Sequence, residues 1–142
     1  MTATVPGVWN PWHALRDHPD LTLAWTTRLP DGTLVLTDGS TIWLTADQTQ
    51  AEARCTLTHE LIHVERCHTG HQPRTVERAV ETETARRLIP LPDLVRALAW
   101  AASATEAAED LWVDQTTLTT RLDTLTQSER TALRARLGDR PW

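Results

Sequence analysis

His59-Glu60-Leu61-Ile62-His63 carries the strongest structural and chemical signal in this chain. Two histidines four residues apart lie on one face of an α-helix. Neutral imidazole is the commonest protein ligand for a transition metal, and a stacked pair supplies half of a zinc site. The glutamate beside the first histidine can take a proton from a metal-bound water, so the motif predicts metal-dependent hydrolysis. The alternative is a helix with two surface histidines and a solvated glutamate, because so short a pattern can arise by chance.

The residues around the motif predict one long helix from about position 49 to position 67. Apolar residues recur there at three- and four-residue spacing, at Ala53, Leu57, Leu61 and Val64. Both motif histidines fall beside this apolar stripe, so we expect them at the boundary of the core, where a buried metal would lie. Gly70 and Pro73 then end the helix and begin a turn.

Three short runs upstream of this helix have the alternating pattern of β-strands. They cover residues 21–25, 34–36 and 41–44. Pro30-Asp31-Gly32 and Asp38-Gly39, which separate them, have the composition of turns. The sequence therefore predicts a three-stranded antiparallel meander before the motif helix.

The chain after the motif helix is predicted to be helical throughout. A second helix over 74–89 stops at Pro90. Two capping-box pairs then mark the starts of later helices: Ser103 with Glu106, and Thr126 with Glu129. We expect an α+β protein with a core over residues 1–90 and a C-terminal helical segment over residues 91–142 that packs on it.

Composition is that of an ordinary globular protein. The 142 residues carry a net charge of −5, so there is no general attraction to nucleic acid or anionic membranes. No apolar run approaches the roughly 18 residues that span a bilayer, and no secretory signal is evident. Cys55 and Cys67 would lie roughly 18 Å apart on one helix, too far for a disulfide, which favours a reduced, cytoplasmic protein. The chain has no tyrosine that could donate to an oxyanion.

A catalytic zinc needs a third protein ligand besides the two histidines. The helix over 74–89 offers three acids: Glu77, Glu81 and Glu83. At about 3.6 residues per turn, Glu77 and Glu81 fall within the apolar face of this helix, whereas Glu83 lies at its margin. A carboxylate on an apolar face is costly unless it is paired or binds a metal.

We therefore predict that His59, His63 and Glu77 hold the metal and that Glu60 is the catalytic base. Glu81, one turn after Glu77, is predicted to accept a hydrogen bond from a ligating histidine. The sequence leaves open whether Glu81 rather than Glu77 is the third ligand.

The other candidate ligands are given different roles. His68 and His71 are predicted to lie in a surface turn. Cys55 and Cys67 are predicted to be buried or half-buried thiols, with metal ligation as the alternative. For the glutamate on the apolar face, the alternative to metal binding is an ion pair with an arginine such as Arg54 or Arg66.

Three segments together resemble the ImmA/IrrE family of metallo-endopeptidases. They are the motif at 59–63, Glu77-Arg78-Ala79-Val80-Glu81 and Ala85-Arg86-Arg87-Leu88-Ile89-Pro90. Members of that family have a second helix with a glutamate ligand and an Ala-rich stretch that ends in an apolar residue and a proline. Aligning that end without gaps places the family's glutamate on Glu77. The chain departs from the family at Glu83 and Arg87, where apolar residues are common, and in a short loop after Gly70.

The resemblance implies a compact gluzincin-like, and hence zincin-like, α+β fold, to which the helical pattern adds a C-terminal helical bundle. Many family members are encoded by phages or mobile elements beside a helix-turn-helix repressor, and cleavage of that repressor releases the genes it silences. It therefore implies a zinc-dependent endopeptidase that cleaves a transcriptional repressor. Zn²⁺ is the expected cofactor, and Mn²⁺ or Fe²⁺ would also suit a site of two histidines and one glutamate.

Further residues are expected to serve this activity. A strand over 33–37 or 41–44 is predicted to offer its edge to an extended peptide substrate. Because tyrosine is absent, a histidine such as His13, His18 or His71 is expected to assist the oxyanion.

Two alternative functions for this chain involve no proteolysis. The first is a metal-stabilised module that sequesters a regulator. The second is a helix-turn-helix over 104–125 with a DNA-facing set of Thr116, Thr117, Thr119, Thr120 and Arg121. Residues 101–142 carry seven acids against five arginines, so we expect no direct nucleic-acid binding and a packed helical bundle instead. Trp100 and Trp112 are expected either to anchor a protein partner or to lie in the core.

Overall fold

The computed structural model describes residues 9–138, so residues 1–8 of the predicted core and 139–142 of the predicted helical segment lie outside the described residues. Three strands are present in this range: β1 (Thr22–Thr26), β2 (Val35–Thr37) and β3 (Thr41–Thr45). Seven α-helices are present in it: α1 (Pro11–Ala14), α2 (Gln50–Glu65), α3 (Arg74–Leu88), α4 (Leu91–Trp100), α5 (Ala104–Leu111), α6 (Gln115–Asp123) and α7 (Gln127–Leu137). The predicted α+β class is confirmed.

The sheet is mixed, so the predicted antiparallel meander is wrong. Its strand order is β1-β3-β2, with β1 parallel and β2 antiparallel to β3. Asp38 builds a tight β2–β3 hairpin, because its carboxylate accepts hydrogen bonds from the backbone N–H groups of Ser40 and Thr41. Residues 27–34 instead carry the chain past β3. Alternation could not reveal this, because side chains alternate with a period of two in parallel and antiparallel strands alike.

Helix starts agree with the capping signals in the sequence. The hydroxyls of Ser103 and Thr126 accept hydrogen bonds from the third residues of α5 and α7, as their spacing predicts. Thr49 and Glu52 form a further capping box at the start of α2. Pro90 ends α3 and precedes the first residue of α4. No helix in the described range is long and apolar enough to cross a membrane.

Helix α2 lies between two apolar clusters. Its residues Leu57 and Leu61 pack with Ile42 and Leu44 of the sheet, and all four are fully buried. Cys55, on another face of α2, belongs to the larger cluster. The other buried members of that cluster come from the end of α3 and the C-terminal helices: Leu88, Ile89, Leu94, Ala97, Ala107, Ala108, Leu111, Val113, Leu118, Leu125 and Leu133. The helix that carries the motif therefore contributes to both clusters, whereas the C-terminal helices pack mainly on α3, through α6.

Two buried arginines fasten the C-terminal helices. Arg54 of α2 donates to the carbonyl oxygens of Leu111 and Trp112 at 3.2 and 3.0 Å, where the last carbonyls of α5 need donors. Arg121 of α6, 2% exposed, donates to the carbonyl oxygen of Ile89 at 2.8 Å. Arg54 is thus occupied at a helix end and does not form the carboxylate pair considered as the alternative to metal binding.

Candidate metal centre

The predicted ligands His59, His63 and Glu77 converge on one point. The two histidines lie one turn apart on α2, and their Nε2 atoms are 3.1 Å apart. Helix α3 packs against α2 and brings Glu77, in its first turn, to the same point. Oε2 of Glu77 lies 3.0 Å from Nε2 of His59 and 3.3 Å from Nε2 of His63. Within the described range, these three residues form the cluster of histidine, cysteine and acidic side chains that could hold a metal ion.

The separations fit a tetrahedral ion. Ligand bonds of about 2.0–2.1 Å at tetrahedral angles place neighbouring ligand atoms roughly 3.3 Å apart. The observed ligand separations of 3.0–3.3 Å are close to that value. The donor set of two imidazoles and one carboxylate is also that of zinc hydrolases, in which a fourth position stays open.

Hydrogen bonds can explain at most two of the three short contacts in this triangle of atoms. Burial by itself would raise the pKa of Glu77, but the charge of His63 and the hydrogen bond and charge of His59 outweigh it and lower that pKa. Glu77 is therefore ionised and has no proton to donate. Each Nε2 atom holds at most one proton, so at most two of the three contacts can be hydrogen bonds. A cation at the centre would account for all three short contacts together.

Glu60 lies beside this cluster at the junction of two clefts. Its pKa is raised, chiefly by burial and further by the charge of Glu77, while the charge of His63 opposes the shift. A carboxylate with a raised pKa is a better proton acceptor at neutral pH. Glu60 lines both clefts, as does Val35 of the neighbouring strand β2.

The first cleft has a volume of about 460 Å³ and is bordered on one side by helix α6. It is lined by Leu34, Val35, Cys55, Thr56, His59, Glu60, Arg74, Glu81, Thr84, Asp114, Thr116, Thr117 and Thr120. The second cleft, of about 310 Å³, is bordered by the loop between α2 and α3. It is lined by Val35, Leu36, Thr37, Glu60, His63, His68, Gly70, His71, Gln72 and Glu77. The two clefts flank the candidate metal centre.

Strand β2 forms the sheet edge above both clefts. Leu34 and Leu36 remain 37% and 48% exposed there. Of the two strands predicted to receive a peptide, the one at 41–44 is excluded, because β3 is the central strand and pairs on both sides. The one at 33–37 contains β2, which lies at the edge of the described sheet.

Two predictions around the ligands are wrong. Glu81 does not orient a ligating histidine: its carboxylate accepts a hydrogen bond from Nη1 of Arg74 at 3.1 Å. His68, expected in a surface turn, instead lies half-buried with its Nδ1 atom 2.9 Å from Nδ1 of His63. The sequence position of His68 could have indicated this contact. His68 follows directly after the end of α2, where the chain turns back over the last helical turn.

The remaining histidines and cysteines differ in whether they line a cleft and in how far they are buried. His71 lines the second cleft with Glu60 and Glu77, whereas His13 and His18 line neither cleft in the described structure. Both thiols are free. Cys55 is buried as predicted, whereas Cys67 is exposed, so the prediction of a buried or half-buried thiol is wrong at that position. Burial raises the pKa of Cys55 to about 11, so this thiol stays protonated at neutral pH.

The residues that a helix-turn-helix would present to DNA are placed differently here. Arg121 is 2% exposed and Thr117 is 9% exposed, so neither can face DNA. Thr116, Thr117 and Thr120 line the first cleft instead. Of the two candidate anchors, Trp100 is 84% exposed, whereas Trp112 lies over the guanidinium of Arg54 at 5.5 Å.

Comparison with known proteins gives no relative. No protein-family model, no curated protein and no solved structure matches this chain.

Proposed function

We propose that this protein is a metal-dependent endopeptidase that cleaves an extended segment of a partner protein. The observation that carries the proposal is the convergence of His59, His63 and Glu77 beside a carboxylate, Glu60, that borders two clefts. A purely structural metal site has no use for a base at that position. Zn²⁺ suits the donor set best, and Mn²⁺ or Fe²⁺ would also be accepted.

The residues of the centre have separate tasks. His59, His63 and Glu77 would hold the ion, which when bound supplies a Lewis acid that polarises the scissile carbonyl and acidifies water. Glu60 accepts the proton of the attacking water and returns it to the leaving amine. Its raised pKa favours both transfers, because the protonated and ionised forms are then closer in free energy.

Strand β2 would bind the substrate. An extended peptide that adds to this edge gains main-chain hydrogen bonds and lies across Glu60. Leu34 and Leu36 would contact its apolar side chains, and the two clefts would receive residues on either side of the scissile bond. His71, at the second cleft, is the histidine placed to donate to the carbonyl oxygen in a chain that has no tyrosine.

A helix-turn-helix repressor is the substrate class that the resemblance to ImmA/IrrE peptidases implies. Charge supports this choice. DNA-binding domains are usually basic, whereas this chain carries a net charge of −5, so the two proteins would attract each other.

The test is to incubate the purified protein with a candidate helix-turn-helix repressor, chosen from the genes that neighbour its own, with and without a chelator. The parent is compared with Glu60→Gln and with Glu109→Gln, which alters an exposed acid on α5. We expect Glu60→Gln to keep its metal and lose cleavage by at least about 100-fold, and Glu109→Gln to resemble the parent. Cleavage that persists in Glu60→Gln or in chelator would contradict the proposal. A parent that binds the repressor without cutting it would favour the metal-stabilised binding module.

A further inference from the structure

After α2 ends, the chain turns back so that His68 lies against His63, in the last turn of the helix. Cys67 adopts a left-handed conformation, with φ of 58°, directly after the C-cap residue Arg66. The backbone N–H of His68 then donates to the carbonyl oxygen of His63 at 2.9 Å, and that of Cys67 donates to Val64 at 3.0 Å. This pair of bonds is a Schellman motif, which usually has glycine in the left-handed position.

The same two histidines also meet through their side chains. Nδ1 of His68 lies 2.9 Å from Nδ1 of His63, and the two rings are inclined at 61°. Nε2 of His63 points to the candidate metal centre. If Nε2 of His63 binds an ion, its single ring proton must lie on Nδ1. The only role left for Nδ1 of His68 in this contact is to accept that proton in a hydrogen bond.

We infer that His68 is a positioning residue, whose Nδ1 atom fixes the tautomer and ring orientation of His63 for metal binding. The inference rests on the metal centre of the proposed function. Metal-ligating histidines need an acceptor for their second ring nitrogen, and loss of that acceptor commonly weakens metal binding by about 10- to 100-fold. In this chain the acceptor comes from the helix end itself, not from the acid Glu81 that the sequence suggested.

The fold holds this acceptor in place by two independent means. The backbone bond fixes the position of His68 relative to His63, and the side-chain bond then needs only one ring orientation. His68 is half-buried at the wall of the second cleft, so water competes less for its Nδ1 atom than at an exposed site.

The test compares the Zn²⁺ affinities of three variants with that of the parent. His68→Leu removes the acceptor at similar volume, and His68→Ala repeats the removal in case leucine disturbs folding. His68→Asn keeps an acceptor, because Oδ1 of asparagine occupies nearly the position of Nδ1 of histidine. His13→Leu is the control, since it removes an exposed imidazole on α1.

Affinity is measured by competition with a chromophoric chelator, and ligand geometry by the visible spectrum of the Co²⁺-loaded protein. We expect His68→Leu and His68→Ala to bind Zn²⁺ about 10- to 100-fold more weakly, with an altered Co²⁺ spectrum. His68→Asn should stay within about threefold of the parent, as should His13→Leu, since neither loses the acceptor. Parent-like affinity in a folded His68→Leu or His68→Ala would overturn the inference, and so would a folded His68→Asn as weak as His68→Leu.

These measurements need no substrate, so they separate the inference from the proposed proteolysis. A parent that binds Zn²⁺ tightly and cleaves nothing would contradict the peptidase activity and leave the comparison of variants decisive. A parent that binds no Zn²⁺ would contradict both.

Discussion

Arg121 of α6 and Glu129 of α7 form an enclosed ion pair, with Nη2 and Oε2 2.5 Å apart and side chains that are 2% and 13% exposed. Glu129 also accepts a hydrogen bond from Arg86 of α3 and one from the backbone of Thr126. The hydrogen bond from Arg121 is the main reason that the pKa of Glu129 falls to about 2, with smaller contributions from Thr126 and Arg86. One carboxylate thus joins three helices and caps one of them.

This pair should make stability depend on pH in the acid range. Because the pKa of Glu129 is lower in the folded chain than its ordinary value of 4.5, its contribution is complete above about pH 4.5. The contribution disappears as pH falls from about 4.5 to about 2, and it amounts to about 2–3 kcal/mol. Urea unfolding of the parent and Glu129→Gln at pH 7, 4 and 3 would measure it, because glutamine keeps the capping geometry but cannot ionise.

At pH 7 we expect Glu129→Gln to be less stable by about 3 kcal/mol, since it leaves the buried Arg121 without its anion. The gap between the two proteins should narrow as pH falls. The exposed change Glu109→Gln serves as the control. A gap that is equally large at pH 3 and pH 7 would contradict this account.

Measurements of metal affinity can show whether Glu77 or Glu81 is the third ligand. Glu77→Gln should weaken Zn²⁺ binding by at least about 100-fold, more than the loss of an outer partner does, because a neutral amide replaces the anion next to both histidines. Glu81→Gln should change the affinity by less than about threefold, because Glu81 pairs with Arg74, which is 68% exposed at its side chain. Zn²⁺ competition titration checks both, and the reverse order would show that Glu81 is the ligand.

Substrate binding at the edge of β2 can be tested by removing one backbone hydrogen-bond donor. Leu34 and Asp38 are joined to β3 by backbone hydrogen bonds, so in an antiparallel ladder the N–H of Thr37 points away from β3. Thr37→Pro removes that donor, and we expect KM to rise by about tenfold with kcat less affected. Thr37→Val loses the same hydroxyl but keeps the N–H, so its KM should match the parent. Equal KM values for both variants would argue against strand addition at this position.

Cys67 should be an unfavourable residue at its position. A left-handed conformation costs most residues about 1–2 kcal/mol, and glycine adopts it without that cost. We therefore expect Cys67→Gly to raise the free energy of unfolding by about 0.5–1 kcal/mol, after allowing for the greater freedom of glycine in the unfolded chain. Cys67→Ala, which also removes the thiol, should not stabilise the protein. Urea denaturation would compare them, and a stabilised alanine variant would assign the effect to the thiol.

The sequence predicts the candidate centre better than its surroundings. Helical periodicity places His59 and His63 on one face and limits the third ligand to Glu77 or Glu81 on the next helix, because it fixes which side chains share a face. The contact of His68 could not be predicted, because its position depends on one left-handed residue, and glycine rather than cysteine is the usual sign of it. The burial of Arg121 could not be predicted for a similar reason. An arginine on a short polar helix suggests a surface position, and its burial is tolerable because Glu129 and the carbonyl oxygen of Ile89 accept its hydrogen bonds.

Helix positions were also easier to predict than strand partners. Caps and prolines mark helix ends locally, so the end of α3 and the starts of α5 and α7 follow from a few adjacent residues. Strand order depends on which strand contacts the most apolar surface. β3, with Ile42 and Leu44 fully buried, takes the centre and separates β1 from β2.

The strand order also has a consequence for how the sheet assembles. Only three residues separate β2 from β3 in their hairpin. Thr22 of β1 pairs with Thr41 of β3, which lies much farther along the chain. Closing the longer loop costs more chain entropy, so we expect the hairpin to form first and β1 to dock onto it afterwards. During synthesis β1 would then be the first strand made and the last to pair. Until it pairs, one edge of β3 is open, and a strand of another chain could add to it.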